Sequence, residues 1–561
     1  MPRLILAAFV AFVVFAAVGV SNPPQPAVAA AATIDWQGCG GSFQCATLKV
    51  PVDYSNPGGK TLDLALLKQP AKDPSKRIGT LMANPGGPGA SAINFVRIWA
   101  TVLSKEIRDR FDIVTFDPRG VGQSSPIVCH DDLQKLVGLD PSPDNASEWD
   151  AVKAQSKIFA DACANKYGDL LSAVGTKNVA RDMDTIRVAL GEDKLTYVGY
   201  SYGTVIGSVY ADMYPAHVRA FVLDGAVDVS LGFEQTVGTQ AVGFERALAA
   251  YEADCDQTKC AAAPNGDTAR VIDELLAQVE KKPLPAPSAD RAAGPGEVLL
   301  GIIEAMYSKF SWRGLTDALA QANKGDGSGL VKLADKYLQR ESDGSYPNLI
   351  EANSAVNYVD SACSRNPDDY IAMAARLAKT APHFGASAAS SGATCAYWGA
   401  KPDPLTVPRA AGAPPIVVIG TTNDPATPYE WAVALSKQLQ SGLLVTHRGE
   451  GHTIYAQGDA CIDKAVNAYL LELTVPAPGL SCGNGAPPPE TAPGQAPRET
   501  PPPGATGGSS GSQPTARGAA PGPPNTGQGR DNGSLAIIVV ALIIVVAAAA
   551  VAGGVVVAQR R

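Results

Sequence analysis

From Leu195 to Tyr214 the chain passes through a short β-rich segment, the turn Gly199-Tyr200-Ser201-Tyr202-Gly203, and an apolar stretch with helical character. A strand that enters a helix through so short a turn needs glycines, for the tight backbone and for the close packing of strand on helix. The alternation recurs along the chain. Ile78–Ala83, Phe111–Phe116, Val218–Leu223, Pro415–Gly420 and Leu443–His447 read as short strands, and Asn178–Leu190 as a helix with Val179, Met183, Ile186 and Leu190 at helical spacing. Cys45–Val52 and Thr61–Lys68 read as a hairpin around Asn56-Pro57-Gly58-Gly59. Together they predict an α/β fold with a mostly parallel sheet covered on both faces.

The alternation breaks between Asp224 and Pro415, where helix-like segments follow one another with few strand signals. That span is too long for a loop and reads as an inserted helical cap. The expected units are a sheet-bearing core in two parts, residues 33–225 and 415–482, with the cap at 226–414 between them.

The two ends indicate where the body lies. Leu4 to Val20 is unbroken apolar sequence after Arg3, and Ala27-Val28-Ala29 has the spacing of a signal-peptidase site, so residues 1–29 are expected to be a signal peptide, with an uncleaved anchor as the other reading. Residues 535–558 carry no charge and precede Gln559-Arg560-Arg561. A run of that length spans a bilayer with its arginines on the cytoplasmic side, which turns the body outward. Residues 483–533, rich in Pro, Gly, Ser and Thr, cannot bury enough surface to fold and read as a disordered stalk. Within it, Pro524-Asn525-Thr526-Gly527 resembles a cell-wall sorting signal, with Pro523 where such signals carry leucine. Cell-wall attachment therefore stands as the alternative to a membrane anchor.

The ten cysteines include no C-x-x-C pair and suit disulfides in an exported chain. Sequence neighbours are the expected partners: 39–45, 129–163, 255–260, 363–395 and 461–482. The net charge of −8, without a basic stripe, argues against a nucleic-acid partner. No cluster has metal-ligand spacing, and no metal or organic cofactor is expected.

Ser201, at a strand-to-helix turn, would stand exposed at a helix N-terminus, where positive partial charge favours a developing anion. A serine nucleophile needs a base, and the chain has five histidines. His452, in the loop after the Leu443–His447 strand, is the expected base, with His447 as the alternative. His130 precedes the serine, His217 closes the following helix, and His383 falls within the cap. Asp424, at the turn after Pro415–Gly420, is the expected acid that fixes the His452 tautomer. The amides of Tyr202 and Gly87, the latter in Asn84-Pro85-Gly86-Gly87-Pro88-Gly89, are the expected oxyanion donors, with Gly86 as the alternative to Gly87.

Asn84–Gly89, Asp117-Pro118-Arg119-Gly120-Val121-Gly122-Gln123-Ser124, Gly199–Gly203 and Leu223-Asp224-Gly225 together resemble the α/β-hydrolase peptidases, and most closely the secreted tripeptidyl aminopeptidases and their proline-iminopeptidase relatives. The stretch from Pro415 through Asp424, Gly451-His452-Thr453 and Cys461 to Cys482 looks like the C-terminal region of that group. The resemblance implies an α/β-hydrolase fold and a serine exopeptidase that releases short peptides from a free N-terminus. It also implies cap or near-cap carboxylates that hold the substrate's α-ammonium, for which Asp228 and Glu234 are the candidates. Asp117 and Arg119 are expected to brace the loop near the site. An exported esterase, lipase or acyltransferase on the same triad is the alternative, since fold and triad do not choose the leaving group.

Overall fold

The computed structural model describes residues 34–129 and 133–487. The expected signal peptide, most of the stalk and the C-terminal apolar run lie outside them. Among the described residues no helix is long and apolar enough to cross a membrane.

Among the described residues ten strands form one sheet: β1 (Gln37–Gly38), β2 (Gln44–Pro51), β3 (Thr61–Gln69), β4 (Gly79–Asn84), β5 (Phe111–Phe116), β6 (Leu195–Tyr200), β7 (Val218–Asp224), β8 (Ile416–Asn423), β9 (Gly442–Glu450) and β10 (Ser481–Cys482). Their order is β1-β2-β3-β5-β4-β6-β7-β8-β9-β10. β1, β2 and β3 pair antiparallel, as do β3 and β5, and every pairing from β5 to β10 is parallel. This is the α/β-hydrolase sheet.

The central strands are apolar along their length because both faces are covered. Tyr197, Phe221, Leu223, Ile416 and Val418 enter the core on one side. Val198, Val222, Val417 and Ile419 enter the core on the other, against Trp99, Ile462 and Val466 of flanking helices. The alternation of partners along β6, β7 and β8 is the two-residue period of a strand, so each residue's face follows from its neighbour's.

Between β7 and β8 the chain is helical and carries its own apolar core, with Phe244, Tyr251, Leu275, Ile302, Trp312 and Leu315 at its centre. A second excursion, between β5 and β6, contains the Ala146–Tyr167 helix, which starts at Asn145, whose side chain accepts from Ser147 and Glu148 amides. Its Trp149 and Val152 pack with Tyr370, Met373 and Ala389 of the insert. The sequence reading ran the core without a break through residue 225. The excursion was hidden because charged residues (Glu148, Asp150, Lys153, Lys157 and Asp161) are scattered among this helix's apolar ones.

Five disulfides join Cys39 to Cys45, Cys129 to Cys163, Cys255 to Cys260, Cys363 to Cys395 and Cys461 to Cys482, the pairing expected from sequence proximity.

Candidate active site

The C-terminal ends of β6, β7, β8 and β9 converge, and the expected catalytic residues lie there. Ser201 occupies the turn between β6 and the Tyr202–Met213 helix at φ +54°, ψ −125°. A residue with a β-carbon adopts that conformation only where its surroundings over-determine it. Here Ser201 N donates to Asp224 O at 2.9 Å and Thr204 N to Ser201 O at 2.8 Å. A β-carbon on Gly199 would come within 2.3 Å of Gly203 O, which explains the glycine at that position. The Ser201 hydroxyl caps no amide of the helix it begins.

Asp424, fully buried, lies in the turn after β8. Its Oδ1 accepts from the Ala426 and Thr427 amides at 2.9 and 2.8 Å, and its Oδ2 from Thr427 Oγ1 at 3.0 Å. His452 Nδ1 is 2.9 Å from both carboxylate oxygens. An ionised carboxylate only accepts, so Nδ1 carries the proton and Nε2 is left as the acceptor of the neutral ring. Burial alone would disfavour a proton on His452, but Asp424 and then Asp224 outweigh it and hold the imidazole above its usual range. The ring lies against the end of β7, whose Asp224 carbonyl holds Ser201 N: an ideal β-carbon on Gly225 would be 3.1 Å from His452 Cε1.

The Asn84–Gly89 loop, the expected source of an oxyanion donor, packs directly on the Ser201 turn. At Gly86, φ +101°, a β-carbon would be 2.6 Å from Tyr200 O and 2.9 Å from Tyr202 N. The Gly86 amide is committed to Asn84 Oδ1 at 2.9 Å, which favours Gly87 over Gly86 as the donor. Tyr202 opens its helix, so its amide has no intrahelical acceptor. Its side chain is anchored from below, the hydroxyl 2.5 Å from Thr176 Oγ1, which is 2.5 Å from Asp360 Oδ2.

The other described histidines take different partners. His447 Nε2 is 3.5 Å from Asp459, His383 lies between Glu245 and Asp273, and His217 Nδ1 is 3.0 Å from Asp193 O. Asp117 accepts from Ser91 Oγ and the Ile93 and Gln123 amides, while Arg119 is buried in a two-pronged pair with Asp182.

The two expected ammonium ligands are engaged elsewhere. Asp228 Oδ1 is taken by Ser230 N, Ser230 Oγ and Gln438 Nε2. Glu234 forms a two-pronged pair with Arg376 at 2.9 Å on an exposed surface. Neither is hydrogen-bonded to Ser201, Asp424 or His452.

Sequence reasoning missed Tyr307, from the insert. Its carbonyl accepts the His452 amide at 2.9 Å, and its ring meets the imidazole edge to face at 5.4 Å. One turn earlier, buried Glu304 pairs Oε1 with Lys336 at 2.6 Å and leaves Oε2 without a protein partner. No local sequence signal marks either residue.

The family model described as TAP-like protein matches residues 381–482, the segment that carries Asp424 and His452. Over 464 residues the chain is 40% identical to Serine protease Hip1 of Mycobacterium tuberculosis, covering 79% of this chain and 88% of that one. It is 38% identical to Carboxylesterase B of the same organism, covering 78% and 86%. It is 34% identical to Tripeptidyl aminopeptidase of Streptomyces lividans, covering 82% and 88%.

Proposed function

The chain belongs to the tripeptidyl aminopeptidase family of serine peptidases, and from that premise we propose that it is an exported aminopeptidase that releases short peptides from free N-termini. Contact of His452 with Asp424 beside the Ser201 turn is the observation that carries the reading. His452 Nε2 takes the Ser201 proton as Oγ attacks the scissile carbonyl, and the Gly87 and Tyr202 amides hold the oxyanion. His452 then protonates the leaving amine. Water activated by the same imidazole hydrolyses the acyl-enzyme and releases the acid product. Carboxylates in or near the insert, with Asp228 and Glu234 as the candidates, receive the substrate's α-ammonium. Five disulfides and the two apolar ends support export to the cell surface, with the 535–558 run in the membrane or, after sorting, the body on the cell wall.

The test compares a chromogenic tripeptide anilide, its N-acetylated twin and a short acyl ester, with the full chain and Ser201→Ala. Cleavage of the free-amine peptide alone, abolished in Ser201→Ala, is the expected result. Turnover by Ser201→Ala would end the assignment. Cleavage of the ester with neither peptide touched would favour the second reading, an esterase, to which the likeness to Carboxylesterase B points.

A further inference from the structure

Asp224 is fully buried at the end of β7, between the strand that delivers the nucleophile and the strand that delivers the acid. Three connections meet in this residue and its neighbour. The Asp224 carbonyl accepts from Ser201 N at 2.9 Å, and the Gly225 amide donates to Ile419 O of β8 at 3.1 Å. The Asp224 carboxylate Oδ2 accepts from the Ile454 and Tyr455 amides at 2.9 and 2.7 Å, the two residues that close the His452 loop. Oδ1 is buried without a hydrogen-bond partner among the described residues. We propose that Asp224 is a positioning residue for the reaction: its main chain holds the nucleophile, its side chain holds the base's loop, and its negative charge stabilises the imidazolium formed during proton transfer. The inference rests on the triad reading above.

The groups that face this pair are few. His452 and Asp424 interact with Asp224 from the loop and from the β8 turn, with Tyr200 on β6 and Tyr455 on the loop beside them. Tyr307 faces His452 from the insert. Burial pushes the Asp224 carboxyl up to about 6, against the pull of the two amides and of His452, with Asp424 adding to the rise. A second carboxylate behind the imidazole raises its proton affinity, so its removal moves the acid limb of the rate to lower pH.

Asp224→Asn keeps a carbonyl oxygen for the two amides and discards the charge. The full chain and the variant are compared by the rate at which a fluorophosphonate labels Ser201 across pH, a readout that does not depend on the substrate class. Labelling about 10- to 100-fold slower at neutral pH is expected, the scale of a misplaced base, together with an acid limb at lower pH and a melting temperature no lower than that of the parent. Asp224→Ser, which cannot overfill the site, serves if the amide variant fails to fold, and the same two changes are expected. Unchanged rate and unchanged acid limb in a folded variant would overturn the proposal, as would a slower rate with the limb unmoved, since that is loop loosening without the charge. Failure of Ser201→Ala to abolish labelling would sink the triad reading instead, so the two failures are distinct.

Discussion

Asp424, the acid of the proposed mechanism, is oriented before any substrate arrives. Two backbone amides and the Thr427 hydroxyl leave its carboxylate one orientation, and His452 Nδ1 meets both oxygens in it. Asp424→Asn keeps the volume and loses the acceptor that selects the Nδ1–H tautomer. Its kcat is expected to fall by about a thousandfold or more, with the melting temperature little changed, as steady-state rates and a thermal melt would show. Near-parental turnover would mean that another group orients His452. The pH dependence has a defined sign. In the proposed mechanism His452 must be neutral to accept the serine proton, and its neighbours favour the charged form, so activity is expected to be lost on acidification at a higher pH than an ordinary imidazole would give.

At the scale of elements, His383 ties three pieces of the insert together. Its Nδ1 is 2.8 Å from Glu245 in the Phe233–Thr258 helix, and its Nε2 is 3.0 Å from Asp273 in the Thr268–Lys281 helix. The His383 and Phe384 amides also donate to Glu245. The Glu245 hydrogen bond, opposed by burial and helped by Asp273, raises the imidazole to about 9 from 6.5. Because folding raises this pKa, the added stability is complete below about pH 6.5 and disappears as pH rises through about 9. His383→Leu is expected to cost about 1–2 kcal/mol at pH 6, after allowance for solvent screening. The gap to the parent should narrow by pH 10 in urea melts. A gap that stays constant with pH would show that only packing was lost. The sequence placed His383 in the cap but showed nothing of this role, since its acids lie 138 and 110 residues away.

For the whole molecule, several buried carboxyls act in the same direction. Burial lifts Asp224 to about 6, and Glu351 and Asp360 to about 7. Each is more easily protonated folded than unfolded, so each contribution is full below the ordinary carboxyl range and is lost as pH rises through these values. Glu351 isolates the effect: it is 1% exposed, its Oε2 has no protein partner, and it lies in the Leu349–Asp360 helix, away from the triad contacts. Glu351→Gln is expected to stabilise the fold by about 1–3 kcal/mol at pH 8 and by little below pH 4.5, where the parent is already protonated. Melts at the two pH values check it; equal shifts at both would assign the gain to something other than charge.

The strands and the tight turn at Ser201 were legible in the sequence because each is written locally, and sequence proximity anticipated the cysteine pairs. Periodicity records which face of a segment is buried, and a tight turn records its glycines. What lies across from a buried face is not local information. Only the tertiary structure tied Asp228 to Gln438, 210 residues away, and Glu234 to Arg376, 142 away. Only it brought the Tyr307 carbonyl to the His452 amide and the Asp224 carboxylate to the amides that follow. A carboxylate on the sequence is a charge available to any partner. Folding commits it, because a buried or crowded carboxylate takes the strongest donors that packing places within hydrogen-bond reach.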